Sequence, residues 1–322
     1  MKDMHILVTG GAGFVGSHLV DILVKNGNSV VVYDNLSSGK AHFLQHHLDS
    51  GSSVEIVKAD LLDLDTLKEN MVGIDIVFHL AANPDIRLGT EITDTDLKQG
   101  TIATYNVLEA MRVAGTKKIA FASSSVVYGE ASVMPTPEDY GPLFPISLYG
   151  ASKLASEALI SAWVGTFDLQ AWIFRFANVV GERGTHGVIF DFIHKLKNDP
   201  TRLEVLGDGN QAKSYIEVRD CARSIYHLVS TADDALNYFN LGSGDVCSVR
   251  RIAEIVVGES GLREVSIEYT GGSRGWAGDV PKASLAVERL NATGFESTFD
   301  SEGAIRHTAK ALIEEIGLHD ER

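Results

Sequence analysis

Near its start the chain reads Thr9-Gly10-Gly11-Ala12-Gly13-Phe14-Val15-Gly16, directly after an apolar run at 6–8. Glycines at this spacing permit a tight turn, let backbone amides approach a pyrophosphate and let a helix pack closely on a strand. A glycine triplet alone is weak evidence, because a tight connection in any α/β protein also uses glycine. Here a helix is predicted to follow, ending at Gly27, and the whole βαβ unit indicates dinucleotide binding. The inner face of this helix is expected to carry Leu19, Ile22 and Leu23.

Further short apolar runs alternate with helical stretches along the first half of the chain. They are continuous rather than alternating in polarity, which is typical of strands in a parallel sheet covered on both faces. After about residue 178 the sequence becomes punctuated by glycine, as expected of a smaller appended portion. The runs that predict strands lie at 6–8, 30–33, 54–57, 74–80, 119–122, 171–174 and 238–241.

The second predicted strand ends at Asp34. A carboxylate at this place accepts hydrogen bonds from the adenosine ribose and repels a 2′-phosphate, so NAD is favoured over NADP. The alternative is that Asp34 caps the following loop. Asp60 and Leu61 follow the third strand and are expected beside the adenine, while Leu80, Ala81 and Ala82 follow the fourth and are expected to line the cofactor.

The strongest chemical signal is a serine-rich strand end combined with a Tyr-x-x-x-Lys motif. Ser123-Ser124-Ser125-Val126-Val127-Tyr128-Gly129 follows the fifth strand, and Tyr149 precedes Lys153 by four residues. On a helix the two side chains share one face, where an ammonium group stabilises a phenolate. We therefore expect the pKa of Tyr149 to be lowered, so that Tyr149 serves as a general base toward an alcohol.

Taken together, these motifs resemble the extended short-chain dehydrogenase/reductases that act on nucleotide sugars, and most closely their UDP-sugar 4-epimerases. Two later segments contribute, Arg-Phe-Ala-Asn-Val at 175–179 and Gly-Asp-Val-Pro at 278–281. The resemblance implies a Rossmann doubly wound parallel sheet with a smaller C-terminal substrate-binding domain. Residues 1–177 would form the NAD-binding domain, rejoined by a strand near 236–243, and residues 178–322 mainly the nucleotide-sugar domain.

The resemblance also implies roles for individual residues. Ser124, Tyr149 and Lys153 would form the catalytic triad, and NAD would be the cofactor. Residues implied at NAD are Gly10, Gly13, Phe14, Val15, Gly16, Asp34, Asn35, Ser38, Gly39, Asp60, Leu61, Leu80, Ala81, Ala82, Ser123, Tyr149 and Lys153. Residues implied at a UDP-sugar are Ser124, Tyr149, Asn178, Val188, Lys213, Arg274, Asp279 and Ala283.

Four departures from the family pattern concern contacts around the ligands. Lys213 stands where an arginine is usual, which keeps the charge and loses the bidentate fork. Gln99 replaces an asparagine near the cofactor, and Pro84 replaces a lysine, with Arg87 nearby as a substitute. Arg274 lies farther before Asp279 than is usual, and Trp276 between them is expected to pack or to cover the nucleotide.

Other activities are weighed against the same residues. Dehydratases of this family carry an acidic pair after the catalytic hydroxyl, and decarboxylases usually keep one acid there, whereas this chain has Ser125 and Val126. A reductase is opposed by Asp34. A non-catalytic dinucleotide sensor would be expected to lose Ser124, Tyr149 or Lys153.

Composition excludes several partners. A net charge of −15 in 322 residues disfavours nucleic acid, and no apolar run approaches a membrane span. We expect a cytoplasmic protein. We also expect no metal site, since two histidines four residues apart, His42 and His46, more often form a solvated helix face. The resemblance suggests a homodimer through the helices that follow Thr101 and Ser147.

Sugar size is expected to depend on Ala283. In 4-epimerases restricted to plain hexoses, a tyrosine commonly stands at this place and closes the pocket near the sugar C2. A methyl group there leaves room, so the N-acetylhexosamine forms are expected to fit alongside UDP-glucose and UDP-galactose.

Overall fold

The computed structural model describes residues 1–86, 88–275 and 280–318. The strands are β1 (His5–Thr9), β2 (Ser29–Asp34), β3 (Val54–Lys58), β4 (Ile76–His79), β5 (Lys118–Ser124), β6 (Gln170–Phe176), β7 (Asn178–Val180), β8 (Arg202–Val205), β9 (Ala212–Lys213), β10 (Tyr215–Glu217), β11 (Leu236–Leu241), β12 (Cys247–Ser248), β13 (Ser266–Tyr269) and β14 (Lys282–Ala283).

The α-helices are α1 (Phe14–Lys25), α2 (Gln45–Asp49), α3 (Leu64–Asn70), α4 (Leu88–Glu91), α5 (Ala103–Ala114), α6 (Leu148–Phe167), α7 (Val188–Asn198), α8 (Val218–Thr231), α9 (Val249–Ser260), α10 (Glu288–Ala292) and α11 (Ser301–Ile316). Two 3-10 helices lie at Ala41–Leu44 and Ser125–Tyr128, and a π-helix at Leu97–Ile102 leads into α5.

A seven-stranded parallel sheet forms the main body, in the order β11-β6-β5-β4-β1-β2-β3. Strand order reverses between β1 and β4, which creates the crevice where open α/β sheets bind ligands. The predicted Rossmann fold is confirmed, and each predicted strand lies within two residues of an observed one. Residues 236–241 return to pair with β6 from a point late in the chain.

The first helix shows why the local predictions hold. Leu19 and Leu23 of α1 are fully buried against the sheet, whereas Ile22 is half-buried. Gly27 follows the helix with φ 81°, a left-handed conformation that favours glycine.

A second, smaller hydrophobic core lies under α7, α9 and α11. Short strands accompany it: β7 pairs with β10, β8 pairs with β13, and β9 lies between β12 and β14. These strands bring segments from 178–180, 212–217 and 282–283 to one region. Among the described residues, no helix combines the length and apolar character needed to span a bilayer.

Candidate active site

The glycine-rich loop packs closely against the loop that follows β4. Gly10 has φ 68°, and a Cβ placed on it would lie 2.8 Å from the backbone of Ala81. Helix α1 then starts at Phe14 with no side-chain cap and no acidic residue in its first turn. Its first amides and positive dipole end therefore suit a pyrophosphate, and the loop fits the dinucleotide expected there.

Asp34 lies at the carboxyl end of β2, beside this loop. Its carboxylate accepts hydrogen bonds from the Ala12 amide (3.1 Å) and the Leu36 amide (2.8 Å), and burial raises its pKa. A Cβ on Gly39 would lie 2.9 Å from the same carboxylate, so the loop after β2 is held close to Asp34. The hydrogen bond from Leu36 shows that Asp34 caps the following loop, and its expected role at the adenosine ribose stays a prediction.

Neighbouring predicted cofactor residues line the same edge of the sheet. Asn35 donates to the Asp60 carboxylate (3.1 Å), which also accepts from the Leu62 amide (2.9 Å). Ser38 lies in the loop between Asp34 and Gly39, and Leu61 is buried under it. The loop after β2 and the loop after β3 are thereby joined by side-chain hydrogen bonds.

His79 holds the loop that contains Leu80, Ala81 and Ala82. Its ring is buried between the hydroxyls of Thr9 (2.7 Å) and Thr104 (3.0 Å), and Thr9 also accepts from the Ala81 amide (3.3 Å). Burial lowers the pKa of His79 to about 3, so the ring is neutral. This histidine joins β1, β4 and α5, a role that sequence reasoning missed.

The serine-rich end of β5 lies against the first turn of α6. Ser124 caps the following 3-10 helix through the Val126 amide (3.4 Å), and Ser147 caps α6 through the Gly150 amide (3.0 Å). A Cβ on Gly150 would come within 3.0 Å of the Val126 carbonyl oxygen, so glycine permits this approach. The segment that follows Ser124 therefore contacts the turn of α6 that carries Tyr149, and both of these residues are half-buried.

Lys153 is buried one turn after Tyr149. Its ammonium donates to the Ala122 carbonyl oxygen (2.7 Å) and lies 5.7 Å from the centre of the Tyr149 ring. Burial lowers the pKa of Lys153 to about 8. Burial also raises the pKa of Tyr149, and the Asp96 carboxylate adds to this rise. The expected lowering of the Tyr149 pKa is therefore wrong for the chain by itself, where burial has the largest effect.

A buried ionic network supports this site from behind. Glu157, one turn after Lys153, accepts from both Nε (3.0 Å) and Nη2 (2.7 Å) of Arg175 and from the Ser123 hydroxyl (2.5 Å). Arg175 also donates to the Tyr128 hydroxyl (3.0 Å), which donates to Asn240 (2.7 Å). The network ties α6 to β5, β6 and β11. Arg175 and Tyr128 both belong to sequence motifs quoted above, but the hydrogen bond between them was not predicted.

Asp96 is a second buried acid that sequence reasoning missed. It lies just before the π-helix, and its Oδ1 accepts from the Asn83 amide group (3.1 Å). Its Oδ2 is buried and has no hydrogen-bond partner among the residues that the structure describes. The sequence signal for this site was the polar segment Asp-Leu-Lys-Gln-Gly at 96–100. Gln99 of this segment, which departs from the family pattern, lies in the π-helix that follows Asp96.

The expected sugar-nucleotide residues Asn178, Lys213 and Ala283 are brought together by the short strands. Lys213 of β9 is the register partner of Ala283 of β14. The Ser214 amide donates to the Ala283 carbonyl oxygen (2.9 Å), and the Asn178 amide donates to the Ser214 carbonyl oxygen (3.1 Å). Three segments far apart in sequence thus meet through backbone hydrogen bonds.

The remaining residues expected at the substrate are Val188, Arg274 and Asp279. Val188 is the first residue of α7, after Gly187 with φ 103°. Arg274 forms an exposed salt bridge with Glu130 (2.6 Å), close in sequence to the serine-rich segment. Arg87, Trp276 and Asp279 lie outside the described residues.

The two histidines considered as a metal pair do not share a site. His42 lies in a 3-10 helix and contacts the Phe43 ring, whereas His46 and His47 both approach one oxygen of Asp21 (3.1 and 2.7 Å). The other Asp21 oxygen pairs with Arg183 (3.0 Å). Both oxygens of the Asp21 carboxylate are therefore bound within the cluster, and the positive charge beside it is the Arg183 guanidinium.

Comparison with known proteins agrees with this geometry. The sequence profile of the NAD dependent epimerase/dehydratase family matches residues 6–242. A crystal structure of a UDP-galactose 4-epimerase has 42% identity and a TM-score of 0.87, covering 97% of this chain and 100% of that one.

Two further proteins show the range of activities among the relatives. A UDP-N-acetylglucosamine 4-epimerase from Methanobrevibacter ruminantium, solved with UDP-N-acetylmuramic acid, has 30% identity and a TM-score of 0.86, over 98% of this chain and 100% of that one. A UDP-N-acetyl-alpha-D-glucosaminuronate decarboxylase from Bacillus cytotoxicus is 32% identical, over 77% of this chain and 78% of the other protein.

Proposed function

The chain belongs to the NAD dependent epimerase/dehydratase family, and on that footing we propose that it catalyses the 4-epimerisation of a UDP-hexose. The observation that carries the proposal is the meeting of the Ser124 strand end with the Tyr149 turn of α6, above a buried Lys153. The positions after Ser124 hold Ser125 and Val126, so the acids that family dehydratases and decarboxylases use there are missing. A reductase and a non-catalytic sensor remain the alternatives, opposed by Asp34 and by the intact triad.

NAD is the cofactor, and the glycine loop and Asp34 would hold its pyrophosphate and adenosine ribose. Bound there, NAD would supply reversible hydride transfer at C4 of the sugar. Tyr149 would take the proton from the C4 hydroxyl, and Ser124 would hydrogen-bond the same oxygen. Lys153 would stabilise the phenolate by its positive charge.

The substrate end must hold the nucleotide firmly while the hexose turns over. We assign the firm contacts to Asn178, Lys213, Arg274 and Asp279, within a nucleotide-sugar domain formed mainly by residues 178–322, and Val188 is a further expected substrate contact. Ala283, beside Lys213, would face the sugar, and its small side chain leaves space for an N-acetyl group.

A homodimer through α5 and α6 is part of the proposal. Tyr105 of α5 is 43% exposed and Leu148 of α6 is 46% exposed, although both are large and apolar. The interface would cover one large apolar side chain on each of these helices. Light scattering on the purified chain would give twice the monomer mass if this is correct.

The activity is tested by incubating the protein with UDP-glucose, UDP-galactose and their N-acetyl forms and following the sugar anomeric signals by NMR. Interconversion at C4 is expected without added cofactor. Denaturing the purified protein should release NAD, which mass spectrometry would identify. A decarboxylase would act only on a UDP-uronic acid, and a reductase would consume its cofactor stoichiometrically. Either result would contradict the proposal.

A further inference from the structure

Two imidazole rings converge on one carboxylate oxygen where α2 meets α1. The Nε2 atoms of His46 and His47 lie 3.1 and 2.7 Å from Oδ1 of Asp21, and the two ring centres are 4.0 Å apart. Because a carboxylate oxygen only accepts hydrogen bonds, both rings donate to it from Nε2. The sequence hypothesis paired His46 with His42, whereas the structure brings His46 together with its direct neighbour and an acid from another helix.

The distances within this cluster are close to those of a metal site. Zinc binds histidine nitrogens and carboxylate oxygens at about 2.0–2.2 Å with tetrahedral geometry, which places neighbouring ligand atoms about 3.3 Å apart. The three ligand atoms here all lie within 4.8 Å of one another. Across the part of the chain that the structure describes, this is the only group of three His, Cys, Asp or Glu side chains so placed.

The surroundings of the cluster give an ion access and orient the carboxylate. The His46 side chain is 53% exposed and that of His47 is 10% exposed, so the cluster opens to solvent at His46. Oδ2 of Asp21 pairs with the Arg183 guanidinium (3.0 Å), which leaves Oδ1 directed at the histidines. Ligating carboxylates are held by outer hydrogen bonds of this kind. The same guanidinium repels a cation, so the affinity is expected to be lower than in a site without it.

We propose that Asp21, His46 and His47 form a binding site for a divalent transition metal ion such as zinc, with water completing the coordination. The ion replaces the two hydrogen bonds to Oδ1, and each neutral ring then carries its proton on Nδ1. Two nitrogens and one carboxylate oxygen favour zinc over magnesium and calcium, which prefer oxygen ligands. Binding of zinc here does not depend on the proposed epimerisation.

An ion at this position would fasten the segment that follows β2 to the first helix. This segment is already held at the glycine-rich loop, because Asp34 accepts from the Ala12 amide and the Lys40 amide donates to the Ala12 carbonyl oxygen (2.8 Å). Helix α2 ends the segment, and the ion would join it to α1. Since an ion that binds only the folded chain stabilises it, zinc should raise the melting temperature of the wild type and not of Asp21→Asn.

The direct measurement is a calorimetric titration of zinc into the full chain after removal of metal by a chelator. One ion per chain is expected, and His46→Gln should weaken binding by about tenfold or more, because a ligand is lost while a hydrogen-bond donor to Asp21 is kept. Magnesium should not compete. The matched control is His42→Gln, an exposed residue beside the Phe43 ring, which should leave zinc binding unchanged.

Nitrogen-15 NMR of the histidine-labelled wild type identifies the ligands without any substitution. Zinc should shift the Nε2 resonances of His46 and His47 and leave Nδ1 of both rings protonated. Absence of saturable zinc binding, equal zinc affinity in His46→Gln and wild type, or zinc-induced shifts confined to other histidines would each overturn the inference. If His46→Gln does not fold, the spectra of the wild type decide alone.

Discussion

The catalytic end and the sugar end of the site are built in different ways. Tyr149 and Lys153 lie on α6, a helix of 20 residues whose inner face is joined to the sheet by the buried Glu157–Arg175 pair. Lys213 and Ala283 lie on strands of two residues each, joined by backbone hydrogen bonds. The first arrangement fixes side chains through buried polar contacts, whereas the second fixes backbone and leaves side chains replaceable.

This difference suits the two tasks. Proton transfer requires heavy atoms held within hydrogen-bond reach, so the catalytic end benefits from rigid support. In the proposed 4-epimerisation, the sugar must present both faces, which requires looser contacts around it. We therefore expect changes at the catalytic end to abolish chemistry or stability, and changes at the sugar end to alter which substrate is accepted.

The largest effect is expected for Tyr149→Phe, which removes the proton acceptor and leaves the ring packed. Turnover of UDP-glucose should fall by on the order of a hundredfold to ten-thousandfold while NAD content stays normal. The matched control is Tyr226→Phe, on α8 and bonded to the Met1 carbonyl oxygen. Near-normal turnover in the Tyr149 variant would remove it from the mechanism.

The next effect concerns the support behind the catalytic helix. Arg175→Met leaves Glu157 buried without its partner and should reduce the free energy of unfolding by about 3–5 kcal/mol, measured by urea denaturation. The control is Arg251→Met, which breaks an exposed pair with Glu302 and should leave the urea midpoint near wild type. Equal midpoints in the two variants would mean that the catalytic end is no more strongly supported than the surface.

Asp34→Ala tests the cofactor end. The variant should bind NAD more weakly and discriminate less against NADP, because the carboxylate that repels a 2′-phosphate is gone. Competition titration with the two cofactors measures this. Asp75→Asn changes another carboxylate that accepts a backbone amide, from His5, and should leave the preference intact. An unchanged preference in Asp34→Ala would place the cofactor elsewhere.

The smallest effect on catalysis itself, but the clearest on selectivity, is expected for Ala283→Tyr. A ring beside Lys213 should lower kcat/KM for UDP-N-acetylglucosamine more than for UDP-glucose, since overfilling a packed pocket costs about 1–3 kcal/mol. Lys282→Tyr places the same ring on the opposite, exposed face of β14 and serves as control. If wild type rejects the N-acetyl substrate, Ala283 does not control sugar size.

The first 80 residues show how much of the structure can be predicted from local sequence patterns. The glycine loop, the end of α1 at Gly27 and the carboxylate of Asp34 were all predictable, because each depends on neighbours close in sequence. The Tyr149–Lys153 spacing was equally readable from helical periodicity, and Leu19 and Leu23 face the core as predicted.

The sequence by itself therefore determined the sheet, the glycine loop and the helical spacing of Tyr149 and Lys153, since these follow from periodicity and short spacings. Only the tertiary structure decided that Glu157 pairs with Arg175, that Asp96 lies buried against α6 and that burial raises the pKa of Tyr149. The reason is physical: burial and pairing depend on groups brought together from distant segments, and local spacing carries no information about which of them will meet.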